Sequence, residues 1–205
     1  MRLPLVLTVL LSIACGRPGA PGRERITPEY DKKSGKLQLL KYDSNNDGQV
    51  DMWSYMDGAR VVRVEIDKDG DGKIDRWEHY DANQKIVKIG FSRQHDGKED
   101  AWSYSNAAGE IERIEVSTKR DGVVSRVERY VHGALATAEE DTDGDGRLDT
   151  WETYDGERLA MIAYDTAHRG SPDRRLVYAP DGTTRVEIDP GGTGRFVPAP
   201  AAPPR

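Results

Sequence analysis

The chain has 205 residues, with 30 Lys+Arg against 36 Asp+Glu and a formal net charge of −6. Without residues 1–14, read below as a leader, Leu, Ile, Val and Phe make up 31 of the remaining 191 residues, about 16%, too few for a large one-core enzyme fold. The charge balance then becomes 29 basic against 36 acidic residues, with no basic stripe to neutralise phosphates, which excludes nucleic acid as the expected partner. Four Trp and nine Tyr, placed with a period, argue against disorder.

Arg2 is followed by an apolar run from Leu3 to Ala14, long enough for a signal-peptide core and too short to span a bilayer as a helix. Residues 1–14 therefore read as an export signal. The run ends Leu11-Ser12-Ile13-Ala14-Cys15, and Cys15 is the single cysteine, so no internal disulfide can form. This junction resembles the cleavage box of bacterial lipoproteins, with Ser12 where that family usually has Leu. The resemblance implies lipidation of Cys15 and stable membrane anchoring through the acyl chains. Gly16 stands where that family's Asp favours inner-membrane retention, so the resemblance implies the outer membrane. The alternative is ordinary secretory cleavage after Ser12-Ile13-Ala14, which leaves Cys15 a free thiol. Residues 15–28 then read as the lipidated Cys and a flexible spacer, and residues 195–205 as an unpacked Pro/Ala-rich tail.

Between them lies a repeat. Asp47, Asp71, Asp96, Asp121 and Asp145 are each followed by Gly, and Arg169-Gly170 continues the series. Six residues after each marker come Trp53, Trp77, Trp102, Val127, Trp151 and Arg175; two or three further come Tyr55, Tyr80, Tyr104, Tyr130, Tyr154 and Tyr178. Leu40, Val64, Ile89, Ile114, Ala138, Ile162 and Val186 form a third column. Segments such as Val62-Arg63-Val64-Glu65-Ile66 have strand period, and Asp57-Gly58, Asn83, Gly109, Gly133, Asp155-Gly156 and Asp181-Gly182 supply turns. The expected fold is all-β over residues 29–194: six units of 24–25 residues plus partial ends. About thirteen short strands form an antiparallel meander, curled or partly closed, with one face buried as a thin shared core. The aromatic columns read as core ladders.

The loops between units carry the chemistry. Asp67, Asp69, Asp71, Asp75 and Glu78 stand at positions 1, 3, 5, 9 and 12 of a loop with Gly72 at 6 and Ile74 at 8; Asp141, Asp143, Asp145, Asp149 and Glu152 repeat this around Gly146 and Leu148. Both resemble the EF-hand calcium loop, because Ca²⁺ seeks six to eight hard oxygens and the sixth-position Gly permits the bend that gathers them. The resemblance implies ligands from those ten side chains and from the carbonyls of Lys73 and Arg147. Flanking helices do not fit, since only about twelve residues separate each twelve-residue loop from that of the next unit, and a Gly or Asn turn interrupts them. Asp75 and Glu78 are three apart, so on one strand they point to opposite faces, which would leave Asp75 and Asp149 as the last ligands. Asp43, Asn45, Asp47 and Asp51, with Ser54 at the twelfth position, outline a weaker loop; Ser92, Gln94 and Asp96 leave too few charges, and Lys119 and Arg169 mark turns without metal. Ca²⁺ is the expected cofactor, as a staple with affinity of roughly 10⁻⁴ to 10⁻³ M.

The array also resembles bacterial YD-repeat proteins, on Tyr42-Asp43, Tyr80-Asp81, Tyr154-Asp155 and Tyr164-Asp165, which implies a β-rich shell or surface protein. His95 and His168 share one loop slot and, with no cysteine partners, make a poor zinc set; they read as solvated. No nucleophile elbow, phosphate loop or H-E-x-x-H occurs, and no enzyme activity is expected. The reading is an outer-membrane, lipid-anchored, calcium-stabilised repeat module that is structural or protein-binding. Its partner would be an envelope protein or glycan, the glycan alternative using exposed Trp/Tyr columns for binding or carriage.

Overall fold

The computed structural model describes residues 25–200; the leader, Cys15 and the start of the spacer lie outside the described residues, as does the end of the tail. The period-two segments become strands β1 (Ile26–Tyr30), β2 (Leu37–Tyr42), β3 (Met52–Asp57), β4 (Arg60–Ile66), β5 (Arg76–Tyr80), β6 (Ile86–Phe91), β7 (Ala101–Ser105), β8 (Ile111–Val116), β9 (Arg126–Val131), β10 (Ala134–Glu140), β11 (Thr150–Asp155), β12 (Arg158–Tyr164), β13 (Arg174–Tyr178), β14 (Thr184–Ile188) and β15 (Val197–Pro198). They form one antiparallel sheet in strict chain order. The all-β meander is as expected, with two more strands than thirteen, one at each end. β1 begins inside the stretch read as spacer and β15 lies inside the stretch read as unpacked tail, because each finds a neighbour's free backbone edge.

β1 and β15 pair only with β2 and β14, so the sheet is not closed, which removes the partly closed form from the two that were expected. Both edge strands carry a proline, Pro28 opposite Leu40 and Pro198 opposite Glu187, a residue that cannot donate to a further strand and so blunts an edge.

A single buried face is also not found. Among the described residues, strands contact only their sequence neighbours, so no second layer covers either side. The buried apolar residues are Val64, Trp77, Ala101, Val116, Ala138 and Ala163. Strand alternation puts Val64 and Trp77 on opposite faces, given the pairing Val64↔Glu78 and Glu65↔Trp77. Apolar cover therefore comes from cross-strand neighbours along each face rather than from a sandwich core.

Strand alternation gives the uneven Trp–Tyr spacing its meaning: two apart the pair shares a face, three apart it does not. Six hairpins have a register shift just before the turn, which leaves Gln38, Val62, Val87, Glu112, Ala136 and Ala160 as extra residues. The opposite strands keep their alternation. Hence Tyr55 shares a face with Trp53, and its hydroxyl donates to Glu65 at 2.9 Å; Tyr104 relates in the same way to Trp102 and Glu115. Tyr80, Tyr130 and Tyr154 lie on the other face and donate to Glu78, Glu128 and Glu152 at 2.6–2.9 Å. Each carboxylate is also held by a cation. Arg63 lies 2.8 Å from Glu65, Arg76 is 2.9 Å from Glu78, and Arg126 reaches Glu128, Glu140 and Glu152 at 2.8–3.0 Å. With so few large apolar groups, these Arg–Glu–Tyr networks fill the space that aliphatic packing fills elsewhere.

Candidate metal centre

All tight turns fall at one end of the strands and all acidic loops at the other, so seven loops line one rim. Their ends are fixed by a backbone ladder that continues past the strands: the N–H groups of Asp67, Ser92, Ser117, Asp141, Asp165 and Asp189 donate to the carbonyls of Asp51, Asp75, Asp100, Ser125, Asp149 and Asp173 at 2.8–2.9 Å. These first- and ninth-position residues are the most buried polar groups of the rim: Asp100 is 1% exposed, Asp189 2% and Ser117 0%.

Their side chains organise the loops from within. Asp67 accepts the N–H groups of Gly70 and Gly72, both at 2.8 Å; Asp43, Asp141 and Asp165 accept from the sixth-position Gly48, Gly146 and Gly170. The ninth-position group accepts from the second residue: Ser44 to Asp51, Lys68 to Asp75, Arg93 to Asp100, Thr142 to Asp149 and Thr166 to Asp173. Where the ninth residue is Ser125, its hydroxyl takes the same N–H from Thr118 at 3.0 Å. These are Asx- and Ser-type turns repeated along a row. Gly72 and Gly146, at φ +86° and +89°, make the bend that a residue with a Cβ resists.

Within this frame the two full acid loops gather their carboxylates. Asp67, Asp69 and Asp71 offer one oxygen each, all within 4.8 Å of one another, as do Asp141, Asp143 and Asp149. Oxygens bound to one Ca²⁺ at about 2.4 Å are at most about 5 Å apart, so both sets fit a calcium shell. Asp75 joins Asp69, and Asp145 joins Asp143, in second groupings described below. Lys73 places its ammonium 2.9 Å from Asp71, and with its own N–H it holds that carboxyl below the usual range. Burial pushes the Asp149 carboxyl up, but the hydroxyls of Thr150 and Thr142 and the N–H groups of Thr142 and Asp143 together outweigh it, with a net downward shift. The Arg147 N–H donates to Asp145 at 2.8 Å.

Glu78 and Glu152 are not brought to the loops. They face the other side of the sheet, held by Arg76 and Tyr80 and by Arg126 and Tyr154. The loop ends in a strand rather than a helix, which turns the twelfth-position residue away from the ion. Asp75 and Asp149 are the last acids on the loop side, the alternative that strand alternation raised.

An EF-hand family model matches residues 65–78. That span covers the first full loop and the start of β5. No curated protein matches the chain. Among solved structures, a crystal structure of accessory secretory protein 1, 2 and 3 in Streptococcus pneumoniae aligns with 71% of this chain at 12% identity and a TM-score of 0.27. The alignment spans only 20% of that chain, and a likeness this low carries no argument.

Three residues outside the expected ligand set matter to the rim. The fourth position of every loop is left-handed, with Asn46, His95, Arg120 and His168 at φ +51° to +62° and Gly70, Gly144 and Gly192 at φ +63° to +79°. Where that position bears a long side chain, it reaches back to the preceding loop. His95 Nδ1 sits 2.7 Å from Asp75 and 3.8 Å from Asp69, and His168 Nδ1 sits 3.7 Å from Asp143. Arg120 clasps Asp100 at 2.6 Å, with Asp96 and Gln94 as further partners. The two histidines are 62% and 65% exposed, so they are wet, as expected, but they are also aimed. Their shared slot was visible in the sequence; its left-handed backbone, which sets the aim, was not.

Proposed function

We propose that this chain is an outer-membrane lipoprotein whose β-repeat sheet is a calcium-stabilised structural or protein-binding module without catalytic activity. The observation that carries the calcium part is the pair of equivalent loops, each gathering three carboxylates within 4.8 Å on a prebuilt turn, with the EF-hand match over the first of them. Concentrating that much negative charge is self-repulsive, and a bound divalent cation that binds only the folded loop stabilises it. Membrane anchoring is supported by the Leu11–Cys15 junction alone. The glycan-binding alternative has less support, because Trp77, in the middle of the Trp53–Trp77–Trp102 row, is only 8% exposed and offers little ring for a sugar to stack on. Scanning calorimetry of the mature chain, first with chelator and then with millimolar Ca²⁺, tests the reading. A rise in melting temperature that grows with Ca²⁺ concentration is expected. An unchanged melt overturns the calcium role. Metabolic labelling with a radioactive fatty acid, lost in Cys15→Ser, tests the anchor.

A further inference from the structure

The rim holds a second kind of site that uses nitrogen as well as oxygen and spans two loops. His95 meets Asp69 and Asp75 of the preceding loop, and His168 meets Asp143 and Asp145 of its own preceding loop; in each trio the donor atoms lie within 4.8 Å of one another. Both trios combine the third-position Asp of a full acid loop with the fourth-position His of the next loop. A cleft opens beside each, one lined by Asp75, Phe91 and His95, the other by Asp143, Tyr164 and His168.

The third acidic loop shows what this slot holds when the His is replaced. There Arg120 comes from the same fourth position and puts its guanidinium between Asp96 and Asp100. A positive charge, covalently supplied, occupies the inter-loop space. Where the residue is His, the slot offers an imidazole nitrogen beside the carboxylates in place of the guanidinium.

We infer that Asp69, Asp75 and His95, and likewise Asp143, Asp145 and His168, form inter-loop sites for a first-row divalent transition ion such as Zn²⁺, stapling adjacent repeats. Ca²⁺ takes oxygen ligands, whereas imidazole together with carboxylate suits Zn²⁺ and its neighbours. Three protein ligands leave a fourth position to water. Tetrahedral bonds of about 2.1 Å put ligand atoms about 3.4 Å apart, between the 2.7 and 3.8 Å that separate His95 Nδ1 from its two carboxylates. The inference shares Asp69, Asp75, Asp143 and Asp145 with the calcium reading but not the histidines, so the histidine variants let the two fail separately.

The test is calorimetric titration of the chelator-stripped mature chain with Zn²⁺, alongside the double variant His95→Asn/His168→Asn. Two Zn²⁺ per chain are expected, and the double variant should bind Zn²⁺ more weakly by more than the roughly ten- to hundredfold that loss of a mere outer partner costs, while keeping the wild-type response to Ca²⁺. Equal Zn²⁺ binding by wild type and variant overturns the inference, as does no Zn²⁺ binding by wild type, which would leave the imidazoles as plain partners of the carboxylates. Loss of the Ca²⁺ response with Zn²⁺ binding intact would sink the calcium reading and spare this one. As a check that needs no variant, imidazole proton resonances of His95 and His168 should shift on Zn²⁺ addition while those of His79 and His132 stay; four unmoved histidines would end the proposal.

Discussion

The loop from Asp67 to Asp75 and the loop from Ser92 to Asp100 have the same backbone course and opposite solutions to the same charge problem. Both are tied by a first-position side chain that accepts loop N–H groups and a ninth-position carboxylate that accepts the second residue's N–H. In the first, four acids converge and the neighbouring loop contributes an imidazole. In the second, Ser92 and Gln94 replace two acids, and the neighbouring loop contributes Arg120. The turn is therefore built by hydrogen bonds that all loops share, and the cation is a separate choice. One loop is met by a guanidinium from its neighbour; the other is met by an imidazole and by its own Lys73 at Asp71, and in the proposed reading it recruits its divalent cation.

The largest expected effect lies in the loop met by the guanidinium. Asp100→Ala removes the acceptor of the Arg93 N–H and one partner of Arg120, which keeps Asp96 and Gln94, and should cost about 1–3 kcal/mol, the scale for leaving a loop donor unpaired. Urea melts should give the same loss with chelator and with Ca²⁺; a loss that Ca²⁺ reverses would break the comparison. In the recruiting loops the order should invert. Asp145→Ala removes an exposed carboxylate whose ion-free role is one turn hydrogen bond to Arg147, so it should cost about 1 kcal/mol or less in chelator and reduce the gain in melting temperature that Ca²⁺ gives the wild type. A wild-type Ca²⁺ response in Asp145→Ala would show that the second acid loop does not recruit.

The strands supply a reference that neither loop type should disturb. Burial first, and then the adjoining Glu78 and Glu128, push the Tyr80 and Tyr130 hydroxyls up to about 12, above the value of about 10 for an unfolded tyrosine. Between those values the unfolded chain has released the protons and the folded chain still holds them, so stability present below about pH 10 is lost progressively toward pH 12. Ultraviolet tyrosinate titration should show these two groups ionising last, with the same profile with and without Ca²⁺. The Tyr80→Phe variant should have a shallower alkaline loss; an unchanged slope would mean that Tyr80 is not held by Glu78.

The repeat period fixed strand number within the array, strand direction and loop placement, because an alternating segment can bury or pair its side chains in only one register once its turns are set. The acid spacing fixed the candidate ligands as far as the ninth position for the same local reason: residues inside a twelve-residue loop are brought together by that loop's own backbone. Glu78 and Glu152 were open between two readings, the loop resemblance making them ligands and strand alternation turning them away, and the strand that follows each loop decided for the second. The Trp–Tyr intervals were legible, and strand alternation turns them into faces; the bulges were not, because the extra residue of each sits on the partner strand, where no count along the first strand detects it.

The sequence by itself determined a chain of hairpins about two dozen residues long, ended by oxygen-rich turns and poor in aliphatic groups. Only the tertiary structure decided that the sheet stays open and single-layered, and that His95, Arg120 and His168 each serve the loop before their own. The physical reason is distance along the chain against distance in space. Alternate strands lie roughly 10 Å apart across the sheet, within reach of a long side chain on a left-handed residue, yet 20 residues separate His95 from Asp75 and Arg120 from Asp100, and no local pattern encodes which neighbour a side chain will turn to.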